Sequence, residues 1–316
     1  MSIKEVAVIG AGTMGHALAL VHALGGCRVM LHDAAAEVLA RAPTLIAAAS
    51  HTLCEAGTIS TDEAEAARNR VLLADTIEQA VANADLIVEA VVEKAEVKRT
   101  VFGHIDRFAP ASAILASNTS YLDIFPLIPA ARQKNAAIAH WYSPPYIVDL
   151  VDIAPGPSTA REVIATLHAL YEGFGKAPLV FDRLVPGYVA NRLQAALNLE
   201  CLRMIDEGWA SAEDIDFSIR HGLVDRLALL GHMRKMDYTG LEMISNGLAA
   251  RTYQPPENAG YSAVLARLIE EGRTGVRAGK GFYDYGDEPV EDLLHRRDLG
   301  LLQLKKMLSK TTGGQG

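Results

Sequence analysis

Glu5-Val6-Ala7-Val8-Ile9-Gly10-Ala11-Gly12-Thr13-Met14-Gly15 is the stretch that decides the fold of this chain. An apolar, strand-forming run passes directly into G-x-G-x-x-G, and a helical pattern, His16 to Leu24, follows at once. In that setting Gly10 permits the tight turn, Gly12 lets backbone approach a pyrophosphate, and Gly15 lets helix and strand pack closely. The helix start, with Thr13 and Met14 in the turn, offers unpaired N–H groups and a positive dipole end to phosphates. A second strand, Cys27 to His32, ends at Asp33, close to the spacing of about 20 residues expected for an acid on the adenosine ribose. No arginine follows directly to take a 2′-phosphate, so the pattern favours NAD over NADP.

Composition narrows the field. A chain of 316 residues is too long for one small core and suits two domains. Half its residues are hydrophobic, which leaves disorder expected only at the tail, Thr311 to Gly316. The net charge of −8 argues against nucleic acid as a partner. Three widely spaced cysteines, Cys27, Cys54 and Cys201, fit buried thiols in a reducing cytoplasm and predict neither disulfide nor metal site. Strand signals begin right after Met1-Ser2-Ile3-Lys4, leaving no signal peptide, and no apolar run is long enough to span a membrane.

The first half alternates strand and helix, with strands expected at 4–9, 27–32, 71–74, 85–91, 113–116, 136–141, 147–153 and 177–181. This predicts an α/β fold, a Rossmann-type doubly wound sheet. After Pro186-Gly187 the pattern becomes helical: Tyr188 to Gly208 with a glycine cap, a helix started by Ser211, then helices near 236–250 and 259–272. The expected division is a dinucleotide-binding domain over 1–184 and an all-α domain over 185–316.

Oxidation of an alcohol needs a base for the hydroxyl proton and groups that polarise the oxygen. His140 closes one strand, and Asp152 lies on the strand returning from the stiff Ser143-Pro144-Pro145 turn, so the two side chains can face each other. The competing reading makes His140 a strand cap and Asp152 a solvated acid.

Several stretches together resemble one family: Gly10–Gly15; Val88-Glu89-Ala90-Val91-Val92-Glu93 with Lys98; Ser117-Asn118-Thr119-Ser120; His140 with Asp152; Pro186-Gly187-Tyr188-Val189-Ala190-Asn191-Arg192; and Gly279-Lys280-Gly281-Phe282-Tyr283. From residue 4 to about 285 the chain resembles the 3-hydroxyacyl-CoA dehydrogenases, two-domain NAD enzymes that oxidise a 3-hydroxyl to a ketone. The resemblance implies His140 as general base oriented by Asp152, with Ser120 and Asn191 on the reacting oxygen. It implies Glu93, Lys98 and Asn118 along the ribose and nicotinamide end of the cofactor. Plainer roles compete at each position: Ser120 as a helix cap, Asn191 as a surface amide, Glu93 and Lys98 as a solvated helix pair.

Three departures bear on the substrate. The acid paired with the histidine is usually glutamate in that family and is Asp152 here, one methylene shorter, so the base sits closer to its strand or a water bridges the pair. Ser143 stands where asparagine is usual, altering one substrate hydrogen bond. The segment Gly222 to His232, with Arg226, resembles the branch acting on small hydroxy acids, which includes L-gulonate 3-dehydrogenase (lambda-crystallin), carnitine dehydrogenase and a pyridine-carboxylate dehydrogenase. A guanidinium there takes a free carboxylate bidentately, which a CoA thioester lacks; otherwise Arg226 pairs with Asp225, Asp237 or an acid of a partner subunit. The expected substrate is thus a small 3-hydroxy acid, with an acyl-CoA as the alternative and a non-catalytic, crystallin-like NAD-binding protein as the reading from another class. A homodimer is expected through residues 186–285, because the helical half has more apolar face than it can bury alone.

Overall fold

Eight strands form one sheet in the computed structural model, which describes residues 2–312. They are β1 Glu5–Ile9, β2 Arg28–His32, β3 Val71–Leu73, β4 Leu86–Glu89, β5 Ile114–Ser117, β6 Ala136–Trp141, β7 Leu150–Pro155 and β8 Ala177–Val180. Their order is β3-β2-β1-β4-β5-β6-β7-β8, with every neighbouring pair parallel except β6 and β7. The interior strands are continuous apolar runs because helices cover both faces of a parallel sheet; β4 and β5 are buried at every position. The flanking helices are α1 Gly15–Leu24, α2 Ala36–Glu55, α3 Thr61–Arg70, α4 Ile77–Val81, α5 Ala95–Phe108 and α6 Arg161–Gly173. All eight expected strands are present. β7 begins at Leu150 and not at 147, because Ile147 and Val148 turn back on the Pro144 carbonyl.

The chain divides after Tyr188 into two compact units. The second is helical: α7 Ala190–Asp206, α8 Ala212–Ile219, a π-helical turn Arg220–Val224, α9 Asp225–Leu230, α10 His232–Thr239, α11 Leu241–Ala250, α12 Ala263–Glu270 and α13 Val290–Thr312. Gly208, at φ +68°, closes α7, and Ser211 opens α8 through a reciprocal capping box with Asp214. The helix expected over 236–250 is broken at Gly240, whose φ of +96° ends one helix and starts another. That expected over 259–272 is confined to α12. Helix α13 reaches Thr312, so Thr311 and Thr312 are helical where disorder was expected; the remainder of that tail lies outside the described residues. Among the described residues of this unit only Ile215, Val264, Leu268, Gly281, Asp298 and Leu302 are buried. No helix among the described residues is long and apolar enough to cross a membrane.

Candidate active site

The sheet order reverses between β1 and β4, and ligands of open α/β sheets bind at the carboxyl ends of strands beside such a switch. The glycine turn leaves β1 there. A Cβ on Gly10, at φ +98°, would stand 2.6 Å from the Ala90 carbonyl oxygen, and one on Gly15 would stand 1.6 Å from that of Gly10. Neither position admits a side chain. Gly12, by contrast, has open space where a Cβ would stand, so a ligand can come against its backbone. Asp33 Oδ2 accepts the Ala11 N–H at 2.7 Å and Oδ1 accepts the Ala35 N–H at 2.9 Å, locking the turn to the end of β2. The first N–H groups of α1 have no preceding helical turn to bond. A pyrophosphate on the turn and a ribose at Asp33 fit this arrangement.

The register of β6 and β7 sets His140 directly opposite Asp152. Both are buried, and Nδ1 of the histidine lies 3.3 Å from Asp152 Oδ2. The shorter acid therefore reaches the imidazole directly. Donation from Nδ1 leaves Nε2 as acceptor for the Ser120 hydroxyl, 3.3 Å away. Around the imidazole, the Tyr188 ring stacks at 4.8 Å and the Tyr142 ring meets it edge-on at 4.6 Å. An unprotonated ring nitrogen beside a hydroxyl, with its other nitrogen on a carboxylate, is the geometry of a general base.

Ser120 is not a helix cap. Its turn is held from below by Glu93, whose Oε1 accepts the Thr119 hydroxyl at 2.5 Å and the N–H groups of Ser120, Tyr121 and Leu122 at 3.0 to 3.3 Å. Burial works against ionisation of Glu93, but the Thr119 hydroxyl, the Lys98 charge and the Tyr121 N–H outweigh it and hold the carboxyl below its usual range. Nor is Lys98 half of a solvated pair, although Glu93 is exposed. Lys98 is buried, with its ammonium 2.7 and 2.9 Å from the two oxygens of Glu89 and 3.2 Å from Glu93. Glu89, at the end of β4, also accepts the Ser117 hydroxyl at 2.5 Å. Asn118 turns its Oδ1 to the N–H of Trp141, at 2.8 Å, tying the end of β5 to β6.

The sequence reading gave no role to Glu89, Tyr142 or Tyr188. Tyr142 carried a signal, since two positions after His140 falls on the same side of an extended strand. Tyr188 carried less: a non-glycine at φ +49° whose buried hydroxyl donates to the Thr119 carbonyl. Burial first, then the charges of Asp152 and Glu93, push that hydroxyl well above the usual tyrosine range, so it stays protonated. Ser143 is exposed, and its bond to Pro144 is cis. In the second unit Asn191 stands in the first turn of α7. Arg226, in α9, donates through Nε and Nη2 to the Gly222 carbonyl one turn earlier, where pairing with Asp225, Asp237 or an acid of a partner subunit was the competing expectation. No cluster that could hold a metal occurs among the described residues.

Residues 5–184 match the profile of the 3-hydroxyacyl-CoA dehydrogenase NAD binding domain, and residues 187–285 match that of the C-terminal domain. The chain belongs to the 3-hydroxyacyl-CoA dehydrogenase family. It is an NAD-dependent dehydrogenase acting on a CH–OH group. The enzyme is 34% identical to L-carnitine dehydrogenase of Streptomyces coelicolor, over 96% of this chain and 94% of the relative. It is 31% identical to the mitochondrial hydroxyacyl-coenzyme A dehydrogenase of Homo sapiens, over 90% and 91%. With 5-formyl-3-hydroxy-2-methylpyridine 4-carboxylate 5-dehydrogenase of Mesorhizobium japonicum it shares 28% identity over 97% and 98%. A crystal structure of an enzyme of that name superposes with a TM-score of 0.85, covering 98% of this chain and 99% of the other.

Proposed function

We propose that this dehydrogenase oxidises the 3-hydroxyl of a small 3-hydroxy carboxylic acid to a ketone, with His140 as the base. The observation that carries the reading is the line from Ser120 Oγ through the His140 ring to Asp152, set at the carboxyl ends of β5 and β6. His140 Nε2 takes the substrate hydroxyl proton, and Asp152, buried behind Nδ1, offsets the positive charge that forms on the ring. Ser120 and Asn191 are assigned to the reacting oxygen, and Ser143 to the substrate. Gly10 to Gly15 and Asp33 hold NAD at its phosphates and adenosine ribose, with Glu93, Lys98 and Asn118 shaping the floor beneath the nicotinamide end. Bound NAD supplies the acceptor for the hydride that leaves the carbinol carbon.

Lys98 shapes that floor from below: its ammonium is spent on the buried Glu89 and the exposed Glu93. Arg226 is assigned the substrate carboxylate. Its Gly222 contact uses two of five donors, and the residue is exposed, so the rest of the fork is available to an anion. The carnitine and pyridine-carboxylate dehydrogenases support a free acid as substrate; the hydroxyacyl-coenzyme A relatives, at 31–32% identity, support a thioester. NADH formation on free 3-hydroxy acids, including L-carnitine, and on 3-hydroxybutyryl-CoA decides between them. Turnover of free acids that disappears in both His140→Ala and Arg226→Ala is expected. Turnover of thioesters alone sinks the carboxylate clamp, and activity surviving His140→Ala sinks the base.

We assign residues 1–184 to cofactor binding and 185–316 to substrate binding and dimerisation, in the cytoplasm, where free Cys27, Cys54 and Cys201 stay reduced. A homodimer is supported by how little the helical unit buries: Leu193, Leu241, Met243 and Leu248 are each more than 60% exposed. It also carries an apolar groove of about 410 Å³ lined by Leu197, Cys201, Ile205, Ile215, Leu265 and Phe282. Sedimentation giving a strict monomer removes this part of the proposal.

A further inference from the structure

The carboxylate behind His140 serves two donors with one oxygen. Asp152 is fully buried, and its Oδ2 receives both His140 Nδ1, at 3.3 Å, and the Tyr142 hydroxyl, at 2.6 Å. Its Oδ1 has no hydrogen-bond partner among the described residues. The backbone explains the convergence. His140 and Tyr142 are two positions apart, so both side chains leave the chain on the same side. Asp152 lies across the antiparallel pair from His140 and diagonal to Tyr142, within reach of an aromatic side chain. A short acid at that position meets the imidazole and the phenol together.

We propose that Tyr142 is a positioning residue of the active site, whose hydroxyl holds Asp152 as a carboxylate and so keeps His140 in its proton-accepting form. The inference rests on the assignment of His140 as base. A buried carboxylate with one neutral imidazole as its only donor is poorly solvated, and uptake of a proton by the pair relieves that cost. The Tyr142 O–H stabilises the pair most when it is anionic, with Asp152 charged and His140 neutral. Removing the hydroxyl therefore favours the protonated pair, and the pair holds its proton to higher pH. The other titratable groups around the imidazole do not take over this task. Tyr188 gives its hydroxyl to the Thr119 carbonyl, and Glu93 is engaged by Lys98 and the Ser120 turn.

The test is an NMR titration of the His140 ring in the full-length protein, wild type against Tyr142→Phe, with histidine labelled and the His140 signal assigned by its loss in His140→Gln. Phenylalanine keeps the ring against the imidazole and deletes only the hydroxyl. The expected result is an upward move of the titration midpoint by up to about one pH unit, since a hydrogen bond to a charged group is worth roughly one to two units and only the part that differs between the two protonation states of the pair counts. The acid limb of kcat/KM for the active substrate is expected to move with it, while KM for NAD stays within about twofold. A midpoint unmoved or lowered in Tyr142→Phe overturns the proposal, as does an equal loss of activity at every pH. The titration needs no turnover, so it can fail while His140→Ala still abolishes activity, and the reverse failure is equally visible.

Discussion

His22 makes this protein sensitive to acid in a way that one substitution should remove. It lies in α1, fully buried, with the rings of Trp141, Tyr171 and Phe174 at centroid distances of 6.0, 5.8 and 5.7 Å. Its Nδ1 donates to the Leu18 carbonyl, and its Nε2 has no partner among the described residues. Burial among these rings lowers its pKa from 6.5 to about 4, against a smaller opposing effect of the Leu18 carbonyl. The unfolded chain accepts a proton below pH 6.5 that the folded chain refuses until about 4. Stability is therefore complete above pH 6.5, falls as the pH drops and levels off below about 4. The full loss is about 3 kcal/mol, of which about 2 has gone by pH 5. His22→Leu, similar in volume, abolishes this component and removes an unpaired acceptor. Urea unfolding at pH 7.5, 6, 5 and 4.5, followed through Trp141 with Trp209 replaced by phenylalanine, isolates the first unit. The variant should match wild type to within about 1 kcal/mol at pH 7.5 and overtake it steadily below 6.5. Parallel pH curves for the two proteins would show that His22 titrates alike folded and unfolded, and would refute the argument.

Two further outcomes follow from the cofactor side of the sheet. Asp33→Arg removes the acceptor of the Ala11 and Ala35 N–H groups and places a cation at the ribose acid; calorimetric titration should show NAD binding weakened at least about tenfold, and unchanged affinity would mean the acid is misassigned. Lys98→Met leaves Glu89 as a buried, uncompensated charge and should cost about 3–5 kcal/mol in chemical denaturation, with Glu89→Gln in the same chain recovering part of it. Additive losses in the double variant would show that the two side chains do not act as a pair.

The sheet was legible because burial on both faces leaves its strands no choice but continuous apolar runs such as Val6–Ile9 and Leu86–Val88. The facing of His140 and Asp152 was legible as a possibility for a related reason: the Pro-Pro turn sends the chain back between two strands, so that positions near its two ends can oppose. A solvated role competed for Lys98 because α5 carries charge along much of its length, and nothing local says which lysine turns inward. Its burial follows from Glu89, a charge placed by the end of β4, which only the assembled sheet brings near. Helix α13 escaped for the opposite reason. Its long run of Lys, Arg, Asp and Leu has a weak apolar stripe, and among its residues with described burial Leu302 and Asp298 alone are buried. The break at Gly240 illustrates a third limit, since glycine is tolerated inside helices and only its φ reveals the stop.

Taken through the structure, the reacting end of the first unit is ordered from its core outward. Glu89 is held by Lys98 and Ser117; Lys98 reaches on to Glu93; Glu93 gathers three successive N–H groups and a hydroxyl of residues 119–122. That turn presents Ser120 to His140, whose opposite nitrogen rests on Asp152. Gly187 pins the same turn from the other side through the Ser120 carbonyl. Each link is a hydrogen bond or ion pair; those on Glu89 and Asp152 are buried, where breaking one leaves an unsatisfied polar atom and costs more than making it gained, whereas the N–H bonds of residues 120–122 to Glu93 are exposed. A network of this kind has no cheap intermediate arrangement. The Ser120 hydroxyl and the His140 ring are therefore in place before any ligand arrives, and the order they would otherwise need is not drawn from substrate binding. On the proposed assignment of Ser120 and His140, Lys98 acts on catalysis by position from beneath the Ser120 turn: its loss should lower kcat through Ser120 while leaving KM for the substrate within about twofold.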